Sequence, residues 1–125
     1  MQRSILLVVM MILLGTFMAG CGLGTKPIEL SDQNVVLTSD PAEPKAKEDC
    51  TLSVSFKGIE PIKDGMVQVE ISKKDSKRKL MDAIMQLDGT FTVSPTFAEA
   101  GTYNITIHVT TPEIHQIFER KLEVK

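Results

Sequence analysis

The chain has 125 residues, with 14 Lys or Arg against 16 Asp or Glu and no tryptophan. A net charge of −2 lacks the basic excess that nucleic-acid binding requires, so no nucleic-acid partner is expected. The length suits one small domain with a single core, preceded by a targeting segment and a tether.

The N-terminus reads MQRSILLVVMMILLGTFMAGC. Arg3 and the free amine form a positive n-region, and Ile5 to Leu14 is an unbroken apolar run. Small residues follow at Ala19 and Gly20, the layout of a secretory signal peptide over residues 1–20. The run is short for a membrane span, which needs about 20 apolar residues. Met18-Ala19-Gly20-Cys21 resembles the bacterial lipobox, with Met18 where leucine is more usual. The resemblance implies a lipoprotein. The Cys21 thiol takes a diacylglycerol, cleavage precedes it, and the new amine receives a fatty acyl chain such as palmitate. Two or more buried chains give stable anchoring. The alternative is an uncleaved anchor with an incidental cysteine. Arg3 is the one charge of the signal peptide, so the remaining 105 residues carry 13 basic and 16 acidic groups, a net of −3.

Residues 21–34 read as the lipidated cysteine and a flexible tether, with Gly, Ser and Pro as linker chemistry. Gly22-Leu23-Gly24 follows a signal segment rather than a strand, so it lacks the context of a phosphate loop.

From 35 to 125 the pattern alternates with period two. Val35–Leu37 is a short first strand. In Cys50–Lys57, Leu52, Val54 and Phe56 share a face with Cys50, which then points inward as a small hydrophobe. A soft-metal role for Cys50 is the other reading. Val67, Val69 and Ile71 alternate with polar residues in Met66–Ser72. The basic run KKDSKRK, Lys73 to Lys79, forms the next hairpin tip, either solvated or set against anionic lipid. Met81–Leu87 reads as one strand, and Asp88-Gly89 as a two-residue hairpin turn. Thr90–Phe97, Thr102–Val109 and His115–Val124 follow. About seven short strands with regular turns predict an all-β fold, an immunoglobulin-like antiparallel β-sandwich. Glu99-Ala100-Gly101-Thr102-Tyr103 resembles a tyrosine corner, whose hydroxyl bonds back to the backbone; Ile105 stands where antibody domains place a cysteine.

Both histidines of the chain lie near its end. A turn at Thr111-Pro112 sets Thr110 against Glu113, Val109 against Ile114 and His108 against His115. Directly opposed residues have Cβ atoms about 4.5–5.5 Å apart, so two outward imidazoles can share one ion. A longer loop around Pro112 breaks this register. Imidazole suits copper, zinc or nickel, but two ligands do not complete a structural zinc site. Glu113, Glu119, Met66, Met81 and Met85 are the further candidate donors. No nucleophile elbow, C-x-x-C, H-E-x-x-H or phosphate loop in context is present, so no enzyme is expected.

GTYNITIHVTTPEIHQIFERKLEV resembles the C-terminal signature of the YtkA-like domain of small bacterial membrane lipoproteins. Gly101, Tyr103, His108, Val109, Thr110 and His115 match its pattern. LDGTF and KDGMVQVEI resemble its turn and third-strand segments. The family is similar to FixH-type proteins, which are associated with copper and cytochrome oxidase assembly. The resemblance implies a non-catalytic, lipid-anchored module on the outer face of the bacterial cytoplasmic membrane. It implies copper at His108 and His115 as cofactor or cargo. The other function carried is a ligand-free envelope domain that docks a membrane protein complex. Gln116-Ile117-Phe118 stands where a methionine is expected, and Arg78 stands about where many members have a histidine.

Overall fold

The structure, a computed structural model, describes residues 29–125. The signal segment and Cys21 lie outside the described residues. Eight strands follow a short 3-10 turn at Asp32–Asn34: β1 Val35–Asp40, β2 Thr51–Phe56, β3 Met66–Ser72, β4 Lys79–Asp82, β5 Ile84–Met85, β6 Phe91–Val93, β7 Gly101–Thr110 and β8 His115–Val124. They form two four-stranded antiparallel sheets, ordered β1-β2-β6-β5 and β4-β3-β7-β8. No helix among the described residues is long and apolar enough to cross a membrane.

The alternation decides which side chains are inside. Leu52, Val54, Phe91 and Val93 from one sheet meet Val67, Val69, Ile71, Ile105, Ile107, Val109 and Phe118 from the other. Each aliphatic side chain fully buried in this way contributes about 1.5–3 kcal/mol. The Phe97 and Tyr103 rings pack 4.7 Å apart between centroids. Cys50 is buried in the same core, as its phase predicts. Burial, then the charge of Asp40, pushes its thiol pKa up, which leaves it protonated and unreactive at neutral pH.

The predicted strand Met81–Leu87 is two strands in different sheets. Ala83 breaks it: its N–H still donates to Val67 O on β3 (2.9 Å), while Ile84 and Met85 pair with Thr92 and Phe91 on β6. The chain therefore changes sheet at Ala83, and Met85 and Leu87 are exposed instead of sharing an inward face with Met81. The hairpin after β5 also differs from the two-residue expectation. Gly89 N–H donates to Gln86 O (3.0 Å) and Gln86 N–H to Thr90 O (2.7 Å), which makes a three-residue loop, Leu87 to Gly89. Gly89 has φ +86, the left-handed position that closes such a loop. Asp88 Oδ1 accepts from the Thr90 N–H and hydroxyl, which holds the Asp88 carboxyl below its ordinary pKa.

The tyrosine-corner bond is present: Tyr103 Oη donates to Glu99 O at 2.7 Å. Packing begins ahead of Val35. Leu30 is buried against the core, and its backbone N–H and C=O are both bonded by the Gln116 side chain (3.0 and 3.1 Å).

Candidate functional site

The outer face of the β4-β3-β7-β8 sheet carries both histidines. Its β7 row is Thr102, Asn104, Thr106, His108 and Thr110, opposite in phase to the buried Tyr103, Ile105, Ile107 and Val109. The β7–β8 register pairs Thr110 with His115 and His108 with Ile117. His108 is therefore not directly opposite His115. β7 ends at Thr110 and β8 begins at His115, and the Thr111 N–H donating to Ile114 O (2.8 Å) closes the turn on Pro112-Glu113, one residue later than Thr111-Pro112. Pro112 has no N–H to give, and the Thr111 hydroxyl oxygen accepts from the Glu113 and Ile114 N–H groups (3.3 and 3.1 Å). Ile114 packs against the core, which holds the turn at that place.

The shift is by two residues, and side chains alternate with period two, so both imidazoles stay on one face. They stand diagonally, with ring centroids 6.1 Å apart and planes inclined by 46°. Thr110 lies between them, and its Oγ1 is 2.8 Å from His115 Nδ1. His115 is exposed, whereas His108 is mostly covered. His108 Nε2 is buried without a hydrogen-bond partner, 3.6 Å from Glu70 Oε2. Glu70 also faces Arg78 at 3.5 Å, so the carboxylate lies between a guanidinium and an imidazole.

The other candidate donors separate. Met66 pairs with Thr110 and shares the histidines' face. Met81 pairs with Val69 and turns inward, and Met85 belongs to the other sheet. Glu119 is opposite Thr106 on the outer face, and Glu113 is in the loop. Among the described residues, no group of three or more His, Cys, Asp or Glu side chains is placed to hold a metal ion. Arg78 reaches Glu70, not a ligand position.

Glu70, Gln116 and Arg120 are residues that the sequence reading passes over. Glu70 lies in the outward phase of β3 and looks like any solvated residue. Gln116 and Arg120 carry a usable signal: they fall in the inward phase of β8 with Phe118, Leu122 and Val124. A polar side chain at such a position must find a partner, and both find the N-terminal segment.

The six exposed large hydrophobics among the described residues are not spread evenly. Leu80, Ile84, Met85 and Leu87 fall in one short segment, with Leu80 on the outer face of the histidines' sheet, as Met66 and Ile117 are, and Ile84 on the outer face of the other sheet. β4 and β5 are the last strands of their two sheets, so that segment, with its exposed apolar side chains, runs along one side of the sandwich. Comparison of the chain with protein-family models, with curated proteins and with solved structures finds no match.

Proposed function

We propose that this is a lipid-anchored interaction domain of the bacterial envelope, with an immunoglobulin-like sandwich of the YtkA-like kind. It is tethered by acyl chains on Cys21 at the outer face of the cytoplasmic membrane and acts by docking protein rather than by catalysis. The observation that carries this reading is the exposure of the apolar side chains of Leu80, Ile84, Met85 and Leu87. Exposed apolar residues scattered singly need no explanation, whereas four within eight residues of one edge segment support an interaction surface. The signal and lipobox residues support the anchor. A photo-crosslinker at Ile84 or Leu87 in intact cells tests the docking. A crosslinked protein that the His108→Ala/His115→Ala variant still captures is the expected result, and a chain that stays alone rejects the reading. For the anchor, labelling with a clickable fatty acid is expected and is lost in Cys21→Ser.

A specific observation favours a second reading, copper handling. Two imidazoles lie on one face with ring centroids 6.1 Å apart, one nitrogen of His108 has no partner, and the Met66 thioether is on the same face. Imidazole and thioether are copper ligands. Small ring rotations would bring the two histidines to a common ion, with Met66 as a third, soft donor. Calorimetric titration with Cu(I) and with Cu(II) tests it. Binding no tighter than that of the double His variant sinks the copper reading and leaves the docking reading intact.

A further inference from the structure

The edge of β4 meets two conditions for pairing with another strand. Its backbone sets the first condition. The Ala83 N–H donates to Val67 O, and the register runs Gln68↔Asp82, Val69↔Met81, Glu70↔Leu80 and Ile71↔Lys79. In an antiparallel ladder the bonded pairs alternate, so Ala83, Met81 and Lys79 turn their backbone groups to β3. Leu80 and Asp82 turn theirs to the open side, where β4 is the last strand. An edge of this kind is a template for another strand.

The side chains set the second condition. Gln68 and Glu70 are on the outer face, so their partners Asp82 and Leu80 are too, and Arg78, which reaches Glu70, continues that row. The outer row of the edge thus reads cation, leucine, anion: Arg78, Leu80, Asp82. Leu80 is 54% exposed and unexplained by the fold.

We propose that a second copy of this chain pairs antiparallel along β4, about a two-fold axis at Leu80. This rests on the interaction reading above and names the partner. Leu80 then opposes Leu80 of the second copy, Arg78 opposes Asp82 of the second copy, and Asp82 opposes its Arg78. Leu80 and Asp82 turn their backbone groups to the open side, so the Leu80 pair exchanges its two N–H···O bonds, and Arg78, just ahead of β4, meets Asp82 through its side chain. An axis at Asp82 would set two aspartates together, and one at Met81 would set Leu80 against Asp82. Charge complementarity thus selects the Leu80 register. The two β4-β3-β7-β8 sheets join as one eight-stranded sheet. Closed two-fold symmetry of this sort is the commonest oligomeric arrangement. A lipid surface fits the edge less well, because hydrocarbon offers nothing to the unpaired backbone groups.

The test uses the full chain in its own membrane, carrying Leu80→Cys and exposed to a mild oxidant. Opposed residues of a bonded pair have Cα atoms about 5.5 Å apart, within the range that a disulfide spans. The expected result is a band at twice the chain mass, absent from the parent chain and from a Thr38→Cys control on the other sheet's outer face. Adding Arg78→Asp turns two symmetric attractions into repulsions, and the crosslinked fraction should fall roughly fivefold to tenfold. The swap Arg78→Asp/Asp82→Arg should restore it. The readout is the ratio of dimer to total chain, so lower accumulation of a variant does not imitate the effect. No doubled band, a doubled band indifferent to Arg78→Asp, or a swap that restores nothing overturns the proposal. A band of another mass overturns self-pairing while leaving the interaction reading standing.

Discussion

Along one rim of the sandwich, β1 and β8 end their sheets side by side and the chain ties them together. Gln116 holds both backbone groups of Leu30, Arg120 reaches the Asp32 carboxylate and the carbonyls of Asp32 and Val35, and Lys125 bonds Pro44, Ala46 and Glu43. Along the other rim, β4 and β5 are two short pieces of one segment in different sheets, and their apolar side chains face solvent. Edge strands invite unwanted pairing, and proteins cover, charge or shorten them. The β1–β8 rim is covered. The β4–β5 rim is shortened and charged but not covered, and its row of charges complements itself.

The same substitution on the two rims separates these roles most sharply. Leu30→Ala on the covered rim truncates a side chain of only 3% relative exposure and leaves a cavity in its place. The expected cost is about 2–3 kcal/mol. Leu80→Ala on the open rim should leave folding stability unchanged within about 0.5 kcal/mol. Denaturant unfolding of both variants checks the contrast. Equal losses would mean that Leu80 packs against something in the folded monomer.

Arg120→Ala comes next in size. Its guanidinium makes three bonds to the N-terminal segment, of 2.7, 2.9 and 2.8 Å, one of them to a carboxylate. The Asp32 carboxylate is well exposed, which discounts the ion pair, but the Val35 carbonyl is partly buried. The expected loss is about 1–2 kcal/mol. Amide exchange should show it first at Val35 and Val36, with β3 and β7 unaffected. Faster exchange spread evenly over both sheets would remove the claim that Arg120 acts as a local tie.

How much of this was legible in the sequence follows from what each feature depends on. The strands and their inward faces depend on a period of two, which is local, and Leu52, Val54, Ile105 and Ile107 all fall inside as that period requires. The switch at Ala83 was not legible, because Met81, Ala83, Met85 and Leu87 keep the alternation even where the chain leaves one sheet for the other. Only pairing partners distinguish the two halves. The histidines show the same division. Their common face was legible, since a register shift of two preserves it. Their diagonal placement was not, because it hung on where the turn falls, which the Thr111 N–H and hydroxyl fix through hydrogen bonds to Ile114 and Glu113. The covered rim lay in plain view as Gln116 and Arg120 at inward positions, but which segment they bind depends on distant chain.

The smallest expected effect concerns charge on the covered rim. Lys125 Nζ donates to Glu43 Oε1 at 2.8 Å, and this hydrogen bond, then the lysine's charge, holds the Glu43 carboxyl below its ordinary pKa. A carboxyl whose pKa is lower folded than unfolded adds stability above the unfolded value. That contribution is lost as pH falls through the folded value. The window therefore opens near pH 4, about where an unfolded glutamate titrates, and extends below it. Glu99, just ahead of β7, is lowered by its hydrogen bond to Lys73 (3.0 Å), then by that charge, and obeys the same sign. Glu43→Gln should flatten the acid limb of the stability profile slightly and change nothing at neutral pH beyond the loss of one exposed pair. Unfolding midpoints taken across that acid range measure it. The two carboxylates can be told apart by what melts with them: Glu43 guards the covered rim, so its protonation should loosen residues 43 to 46 and Lys125, whereas Glu99→Gln should loosen the turn after β3 that Lys73 begins. An acid limb unchanged in Glu43→Gln would mean that the Lys125 tie rests on its backbone bonds to Pro44 and Ala46 alone, and that this rim is closed by main chain rather than by charge.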